Sequence, residues 1–466
     1  MRRTISSLTA ASILLLCGCV KGPNYSRPKV DVPAAYHGPA QSAAAASQES
    51  LGNAKWWTVF RDEELQKLIR IALQQNFDLR MAANRVLQAR ELVTIARSNQ
   101  YPTVTGGVMV SGTRAPGTNG GPATSYTGPE IGFSGSWDID FWGKYRRLTE
   151  AARAELMGTE WARRTVVNSL ISGIAAAYFD LRELDLELEI SRRTLASRED
   201  SLKIIRTLVD GGAAPLSDQR QAEQLVETAA SAIPDLERAV AQQENAINIL
   251  LARNPGEVIT RGLTLADQPI PAEPPAGIPS TLLERRPDIA EAEQNLIAAN
   301  ARIGAARAEF FPQISLTGIG GIASGALTTL FRGTSRAWSY TGSAMQPIFN
   351  KGRLDANLRL AEAQREQALL AYQQSIQQSF RDVSDALIAY QKLHEFRVHQ
   401  ERLLAAAREA SQLSRTRYQA GATSYLEVLT NETNNYAAEV GVAGAILRER
   451  LTLVQLYNAL GGGWEL

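Results

Sequence analysis

The chain is 466 residues long, 44% hydrophobic and 21% charged, with a formal net charge of +1. That balance argues against a dedicated nucleic-acid surface, which needs a basic excess. Both cysteines lie within the first 19 residues, and no stretch from Lys21 to Leu466 is apolar enough for a membrane helix, so any spanning structure must be made of strands.

Met1 to Cys19 reads as an export signal: Arg2 and Arg3, an apolar run around Ile13-Leu14-Leu15-Leu16, then small residues. Leu16-Cys17-Gly18-Cys19 has the form of a lipoprotein cleavage site. It predicts a signal peptide over 1–18 and a new N-terminus at Cys19 carrying lipid on its sulfur. An ordinary signal peptide that happens to contain cysteines is the alternative. With Cys17 removed and Cys19 acylated, no thiol or disulfide remains, and a chain of this size buries enough surface to do without one. Val20 follows Cys19 where an Asp would favour inner-membrane retention, so the outer membrane is the expected destination. Residues 19–55, with Pro23, Pro28, Pro33, Pro39 and the Ala/Ser run from Gln41 to Ser50, read as a lipid-anchored linker without a fold of its own.

The remainder is written twice. Asn76-Phe77-Asp78-Leu79 through Tyr101-Pro102 returns 210 positions later as Arg286-Pro287-Asp288-Ile289 through Phe311-Pro312. The stretch Arg206 to Gly212-Ala213 returns as Arg415 to Gly421-Ala422. Such a period is too long for a solenoid unit and marks an internal duplication. The first repeat, 56–265, is expected to hold a helix, a β-hairpin over 102–141, a long helix over 143–209 and a return helix over 215–252. The second, 266–466, repeats these as a helix over 287–311, a hairpin over 312–349, a long helix over 351–419 and a return helix over 424–460.

The hairpins carry a membrane pattern. Ile131, Phe133, Trp137, Ile139 and Phe141 alternate with Gly132, Ser134, Ser136, Asp138 and Asp140. Alternation over about ten residues suits lipid on one side and water on the other. Thr103 to Ser111 alternates too, with Val104, Val108 and Val110 on one side, and Gly112 to Ser125 forms the connection. Gln313 to Ile322, a loop around Ser324 to Ser335, and Trp338 to Phe349 repeat the arrangement. Tyr126, Trp137, Trp142, Trp338 and Tyr340 are candidates for interfacial aromatic belts. A soluble sandwich is the alternative, but four strands in two distant hairpins make a poor one. Four strands cannot close a barrel alone, because the smallest membrane barrels have about eight. An open edge in lipid leaves backbone groups unpaired at several kcal/mol each. Three copies, giving twelve strands, are the simplest symmetric closure.

The helices keep heptad spacing. Val167, Leu170, Ile174, Ala177, Leu181, Leu184, Leu188, Leu195, Leu202, Ile205 and Val209 form one seam, which skips Ser191 and Arg198. The chain turns back at Gly211-Gly212 and at Gly421. Pro234 is expected to bend or interrupt the first return helix. The seams are rich in Ala and Gln, which suits helices packed side by side in a curved wall with a wet face. A plain coiled-coil rod would not explain why the helices join membrane-type strands.

Catalytic and metal motifs are absent from the sequence. His394 and His399 are five apart, which does not place two ligands on one helix face, and a solvated or seam position is expected for them. Neither a serine nucleophile elbow, a phosphate loop nor a Cys/His cluster occurs, and Gly318, Gly320 and Gly321 fall inside a strand. The expectation is a protein that is not an enzyme and needs no cofactor or metal.

These parts together resemble the TolC-like outer membrane efflux factors, in the lipoprotein branch called NodT-type that serves RND-type tripartite systems. The matching residues are Cys19 with Gly22-Pro23-Asn24-Tyr25-Ser26-Arg27-Pro28, then Trp56-Trp57, Phe60 and Leu65, and Asn76-Phe77-Asp78-Leu79. Further on they are Trp137-Asp138-Ile139-Asp140-Phe141-Trp142-Gly143-Lys144, Arg285-Arg286-Pro287-Asp288-Ile289 and Ala459-Leu460-Gly461-Gly462-Gly463-Trp464. The resemblance covers essentially the whole mature chain. It implies an α+β membrane protein: a homotrimer whose twelve-stranded outer membrane barrel continues into a long periplasmic α-helical coiled-coil barrel. It also implies a periplasmic adaptor (membrane fusion) protein and an inner membrane RND-type pump as partners. The duct itself would be passive, and export of small toxic compounds or drugs is the expected role.

By the same resemblance, the periplasmic end is closed, and adaptors dock, near the two hairpin turns. The residues concerned here are Gly212 and Asp218 in the first turn and Gly421, Ser424, Leu426 and Glu427 in the second. Asp218 matches an acidic position and Leu426 an apolar constriction. Thr430 and Thr433 stand where close relatives often carry Asp and Arg, so the ionic part of such a gate departs from the pattern. An ordinary solvated helix start is the alternative for Asp218 and Glu427. A duct for exported polypeptide and a non-conducting lipid-anchored scaffold are the competing functions. On the membrane reading, Ile139→Arg is expected to cost about 2–4 kcal/mol if that residue lies near the bilayer midplane.

Overall fold

The computed structural model describes residues 20–38, 50–117, 121–269, 271, 274–277 and 279–464. Cys17, Cys19 and most of the Ala/Ser run lie outside these. In the first repeat the chain forms α1 (Trp56–Val59), α2 (Glu63–Gln75), α3 (Phe77–Ser98), β1 (Thr103–Ala115), β2 (Thr124–Ile139), α4 (Lys144–Asp210) and α5 (Leu216–Leu250). The second repeat supplies α6 (Leu282–Arg285), α7 (Pro287–Ala308), β3 (Gln313–Ala323), β4 (Arg336–Met345), α8 (Arg353–Gln419) and α9 (Tyr425–Ala459). Both long helices, α4 and α8, are 67 residues, and both return helices, α5 and α9, are 35. The chain divides into two units, one of residues 1–30, 84–160 and 291–373, the other of residues 31–83, 161–290 and 374–466.

The first unit holds the sheet, antiparallel in the order β1-β2-β3-β4. Its register puts Val108 opposite Ile131, Ile131 opposite Ile322, and Trp137 opposite Leu316. One face therefore carries Val104, Val108, Val110, Ile131, Phe133, Trp137, Ile139, Ile314, Leu316, Trp338 and Tyr340. The other carries Thr105, Ser134, Ser136, Asp138, Ser315, Thr317, Thr341 and Ser343, with Met109, Ile319 and Met345 as large apolar exceptions. Hydroxyl pairs cross the polar face: Thr105 and Ser134 at 2.7 Å, and Ser315 and Ser343 at 2.7 Å. On the apolar face three large rings sit opposite glycines, Phe133 on Gly106, Tyr340 on Gly318 and Trp338 on Gly320, while Trp137 faces Leu316. The Trp338 and Tyr340 rings stack at 5.9 Å. This spacing lets the rings lie flat over strands that offer no Cβ to oppose them.

The strands differ from the expected bounds at both ends. β1 runs past Ser111 to Ala115 and β2 begins at Thr124, so the loop between them is shorter than Gly112 to Ser125. β4 stops at Met345 rather than Phe349, which leaves Ile348 and Phe349 98% and 87% exposed. The connection between β3 and β4 contains two 3-10 turns, Leu327–Thr329 and Gly333–Ser335.

The start of the described chain corrects the linker expectation. Residues 20–30 form neither helix nor strand, yet they are held down in the first unit. Arg147 donates to the carbonyls of Lys21 and Gly22 and to Asn24 Oδ1, and Asn300 donates to the Pro23 carbonyl. Tyr25 and Arg27 both reach Glu293, at 3.0 and 2.8 Å. Gly22 approaches Gly304 so closely that a Cβ on it would lie 2.4 Å from the Gly304 Cα. Polar side chains of the helices satisfy the exposed backbone of this Pro-rich stretch, so composition alone did not decide its order. Also in this unit, Ala151 and Ala154 of α4 pack on Ala298 and Ala301 of α7, where small side chains let the two backbones approach.

The second unit holds the main core, built from Trp56, Phe60, Leu65, Ile69, Ile171, Ile174, Tyr178, Leu181, Ile247, Leu251 and Tyr457. α5 runs on through Pro234 as one helix, so of the expected bend or interruption the interruption does not occur. The proline removes one backbone bond, while buried Ala222, Leu225 and Ala229 before it and Ile247 after it anchor both sides of the helix.

One buried carboxylate organises this core. Asp62 is fully buried and caps α2, accepting from the Glu64 and Leu65 amides at 2.9 and 3.3 Å. It also accepts from Tyr178 Oη at 3.1 Å, the Leu263 amide at 2.8 Å and Gln268 Nε2 at 2.7 Å. These donors join three separate stretches of the chain. Asp62→Ala orphans them together and is expected to cost about 3 kcal/mol or more, each buried unsatisfied donor being worth about 1–3. Thermal unfolding in detergent measures it, and an unchanged melting temperature contradicts the assignment.

The register also refines the arginine test. Ile139 ends β2, beside the strand-to-helix junction, whereas Phe133 is mid-strand and 67% exposed on the apolar face. Phe133→Arg is therefore expected to cost about 2–4 kcal/mol and Ile139→Arg about 0–1, the difference between the middle and the rim of a bilayer. Yield of inserted protein reads the two. Equal tolerance of both contradicts lipid on this face.

Candidate functional site

The two long-helix hairpins, α4 with α5 and α8 with α9, lie within the second unit at their turns. Each turn closes in the same way. Gly212 and Gly421 take φ of +73° and +70°, a conformation that a Cβ would strain. At the first turn the Gly212 and Ala213 amides reach back to the carbonyls of Val209 and Leu208, at 2.9 and 2.7 Å. At the second, the Gly421 and Ala422 amides reach those of Tyr418 and Arg417, at 2.9 and 2.8 Å. This pattern is the left-handed cap that ends a helix sharply.

Asp218 and Glu427 occupy the same position, third in their return helices, but have different partners. Tyr418 donates its hydroxyl to Asp218 Oδ2 at 3.1 Å, a link from the second hairpin to the first. Glu427 accepts from Arg417 at 2.9 Å and from the Thr423 hydroxyl, both within its own hairpin. Tyr418 also meets Tyr425 edge-on at 5.3 Å. Tyr425 is buried with Leu202, Ile205, Ala222 and Val428. Burial, reinforced by Asp218, pushes the Tyr418 hydroxyl up to about 12, and burial raises that of Tyr425 too, so both stay protonated and Tyr418 remains a donor.

Leu426 is 56% exposed, as is Leu216 at the other turn. Ser424 caps α9 by position only, without a side-chain hydrogen bond to the helix. Thr430 and Thr433 donate to the carbonyls of Leu426 and Leu429 in their own helix, at 2.9 and 2.8 Å. The structure thus joins Asp218 to the second hairpin. It does not bring Leu426, Ser424 or Glu427 onto the first.

Further along the hairpins is a polar cluster that the heptad reading passed over. Ser191 and Arg198, the two positions where the seam skips, are 0% and 2% exposed. Ser191 lies 2.9 Å from Tyr436 Oη, and the Arg198 guanidinium stands 5.3 Å from the same ring. Arg198 donates to the Leu225 carbonyl, and desolvation lowers its pKa. Buried Glu432 pairs with Arg415 at 2.6 Å, and Arg415 reaches Ser197. Buried Glu439 binds Arg193 of α4 at 2.6 Å and Arg408 of α8 at 3.3 Å. All of these side chains but Ser191 line a cleft of about 410 Å³. A carboxylate so buried is stable only with its cations in place, so this cluster is a second, charge-paired clamp between the hairpins.

Sequence reasoning missed Tyr418, Arg417, Thr423 and Tyr425. A signal was present: at the equivalent positions the first turn has Val209, Leu208, Ala214 and Leu216. Aromatic and polar residues in one copy of a repeat, facing apolar ones in the other, mark where the copies do different work. His394 stands in solvent as expected, with 49% of its side chain exposed, yet it has a partner. Its Nδ1 lies 2.7 Å from the fully buried Glu449, which also meets Arg397 at 2.8 Å. Among the described residues no group of His, Cys, Asp and Glu could hold a metal ion.

A family model described as outer membrane efflux protein matches residues 68–253 and 278–462, one stretch in each repeat. The chain belongs to the outer membrane efflux protein family. It is 36% identical over 452 residues to the cation efflux system protein CusC of Escherichia coli O6:H1, covering 97% of each chain. To the solvent efflux pump outer membrane protein SrpC of Pseudomonas putida it is 35% identical over 463 residues, 98% of each. Its fold matches the open state of the MtrE outer membrane channel of Neisseria gonorrhoeae at a TM-score of 0.85 and 33% identity, over 96% of this chain and 99% of that one. This efflux protein is thus an outer membrane channel of the α+β class, with membrane strands and long helices.

The tip contact has a direct test. Tyr418→Phe keeps the ring and removes only the hydroxyl, at an expected cost of about 1 kcal/mol, or roughly fivefold faster hydrogen exchange of the Tyr418–Val428 amides. Unchanged exchange contradicts a link through Asp218.

Proposed function

We propose that three copies of this efflux protein close a twelve-stranded barrel in the outer membrane and line a passive duct through their helices. The observation that carries this reading is the sheet: one apolar face, one polar face, and free edges at β1 and β4. In lipid those edges require partners. The chemistry of transport is absent from such a wall, so energy enters elsewhere, at an inner membrane RND-type pump reached through a periplasmic adaptor. The chain acts as a conduit and not as an enzyme.

The hairpin turns are the gate and docking end. Asp218, held by Tyr418, the Arg193–Glu439 pair and the Arg415–Ser197 hydrogen bond fasten the second hairpin to the first. Exposed Leu426, repeated three times about an axis, supplies an apolar constriction, with Gly212 and Gly421 setting the turns and Ser424 and Glu427 at the adaptor-facing start of α9. Thr430 and Thr433 are bound to their own helix, so the lock rests on hairpin clamps and Leu426. Lipid on Cys19, after loss of residues 1–18, adds an anchor to the barrel. Small toxic compounds are the cargo class, in line with the cation and solvent efflux named for the relatives CusC and SrpC.

Ser424→Cys carrying a photo-crosslinker tests the docking end in the native envelope. Capture of a periplasmic adaptor, identified by mass spectrometry, is expected. Capture of lipid or of this chain alone contradicts docking at the turn, and capture of an exported polypeptide favours a secretion duct.

A further inference from the structure

The charges of the sheet are sorted by end and by face. Residues 92–129 and 310–354 contain no Asp or Glu, so the carboxylates of the four strands are Glu130 and Asp138, both on β2. Both belong to the polar face, where Glu130 accepts from the Ser111 hydroxyl at 2.6 Å. At the helix-side end the cations have partners: Lys144 pairs with Glu309 at 2.8 Å and Arg146 with Asp140 at 3.3 Å. At the hairpin end stand Arg114, Arg332 and Arg336, all exposed. No carboxylate within either of their two segments is there to neutralise them.

Two of these arginines lie on the apolar face. Arg114 shares it with Val104, Val108 and Val110, while Arg336 follows Tyr340 and Trp338 along β4 and pairs with Ile322. The duplication relates β2 to β4 by 209 positions, which sets Arg336 on Thr127. Thr127 pairs with Gly112, the neighbour of Arg114 on that face. Repeats set around one barrel axis hold equivalent residues at one depth, so both arginines mark the same level. Val104 to Arg114 is ten steps. At about 3.4 Å per step and a tilt of about 45°, that is about 24 Å of depth. The outward apolar band of a membrane barrel is about 25 Å tall, so with Val104 at one rim Arg114 reaches the headgroups at the other. Arg332, in the connection between β3 and β4, follows Phe331, which is 79% exposed. A ring beside a guanidinium suits the boundary between acyl chains and headgroups.

Charge left uncompensated at headgroup level calls for an anion there. From this we infer, resting on the outer membrane barrel proposed above, that the hairpin end of the sheet docks a lipid of the outer leaflet whose headgroup carries phosphate. A guanidinium holds phosphate through paired N–H bonds, and at the edge of the protein it can bridge phosphates of adjacent lipids that otherwise repel. The face decides between lipid and cargo. Arg114 and Arg336 stand on the side away from the polar face that lines the duct, so an anion in transit does not meet them.

The probe is lipid A, a doubly phosphorylated, acylated disaccharide, added to the full-length assembly in mild detergent and read by native mass spectrometry. The unaltered assembly is expected to carry lipid A, and to bind the same lipid stripped of its phosphates far less. Combining Arg114→Gln, Arg332→Gln and Arg336→Gln is expected to lower occupancy at least about tenfold, the effect of one lost bond to a charged group. The corresponding triple Lys variant, which keeps the charge without the fork, is expected to fall between the two. Equal binding of the phosphate-free lipid, or equal occupancy in the Gln variant, overturns the inference. Displacement of lipid A by equimolar inorganic phosphate overturns it too, by showing a site for small anions. The comparison of the two lipids needs no variant, so it decides the matter even if the Gln variant does not assemble. Protein and lipid masses are read separately: an assembly of other than three chains overturns the barrel reading, whereas three chains without lipid A overturn only the docking.

Discussion

Every part of this molecule follows from one constraint: in hydrocarbon, each backbone N–H and C=O must find a partner within the protein. Four strands of 10–16 residues satisfy three internal ladders and leave two edges bare. A soluble protein would blunt such edges with charge or a bulge. Here Val104, Val108 and Val110 on β1 and Trp338 and Tyr340 on β4 are all exposed in the single chain. The sheet is thus a fragment of a closed surface.

In the helices of the second unit the problem is uniqueness rather than unpaired backbone. Long seams of Ala and Leu can slide, because many registers bury similar area. Polar groups that must be paired prevent this. Ser191, Arg198, Glu432 and Glu439 occupy such positions, as does Asp218 at the turn. A clamp made of ion pairs and one phenol hydroxyl is specific in register yet separable as a unit.

The parts that repeat with a fixed period were legible in the sequence. Alternation at period two located the strands from Val104 to Val110 and from Ile131 to Ile139, and heptads located the long helices. The glycines whose positive φ ends each hairpin were visible as breaks in those heptads. Contacts without a period were not legible. The Tyr418–Asp218 bond spans 200 positions, and nothing local to either residue announces the other. The docking of residues 20–30 depends on Arg147 finding the carbonyls of Lys21 and Gly22, and a carbonyl has no sequence signature. Pro234 does not interrupt α5, because a helix anchored on both sides tolerates one missing bond. The skipped positions Ser191 and Arg198 were seen as gaps in an apolar seam, when the gaps themselves mark the clamp.

Closure by three copies is the claim on which the duct and the gate ring both depend. Native mass spectrometry of the assembly, released intact from outer membranes in mild detergent, tests it most directly. The account predicts a single species of three chains whose mass does not change on dilution. A monomer or dimer that carries the folded sheet would contradict it, since the edges of β1 and β4 would then be stable in lipid without partners.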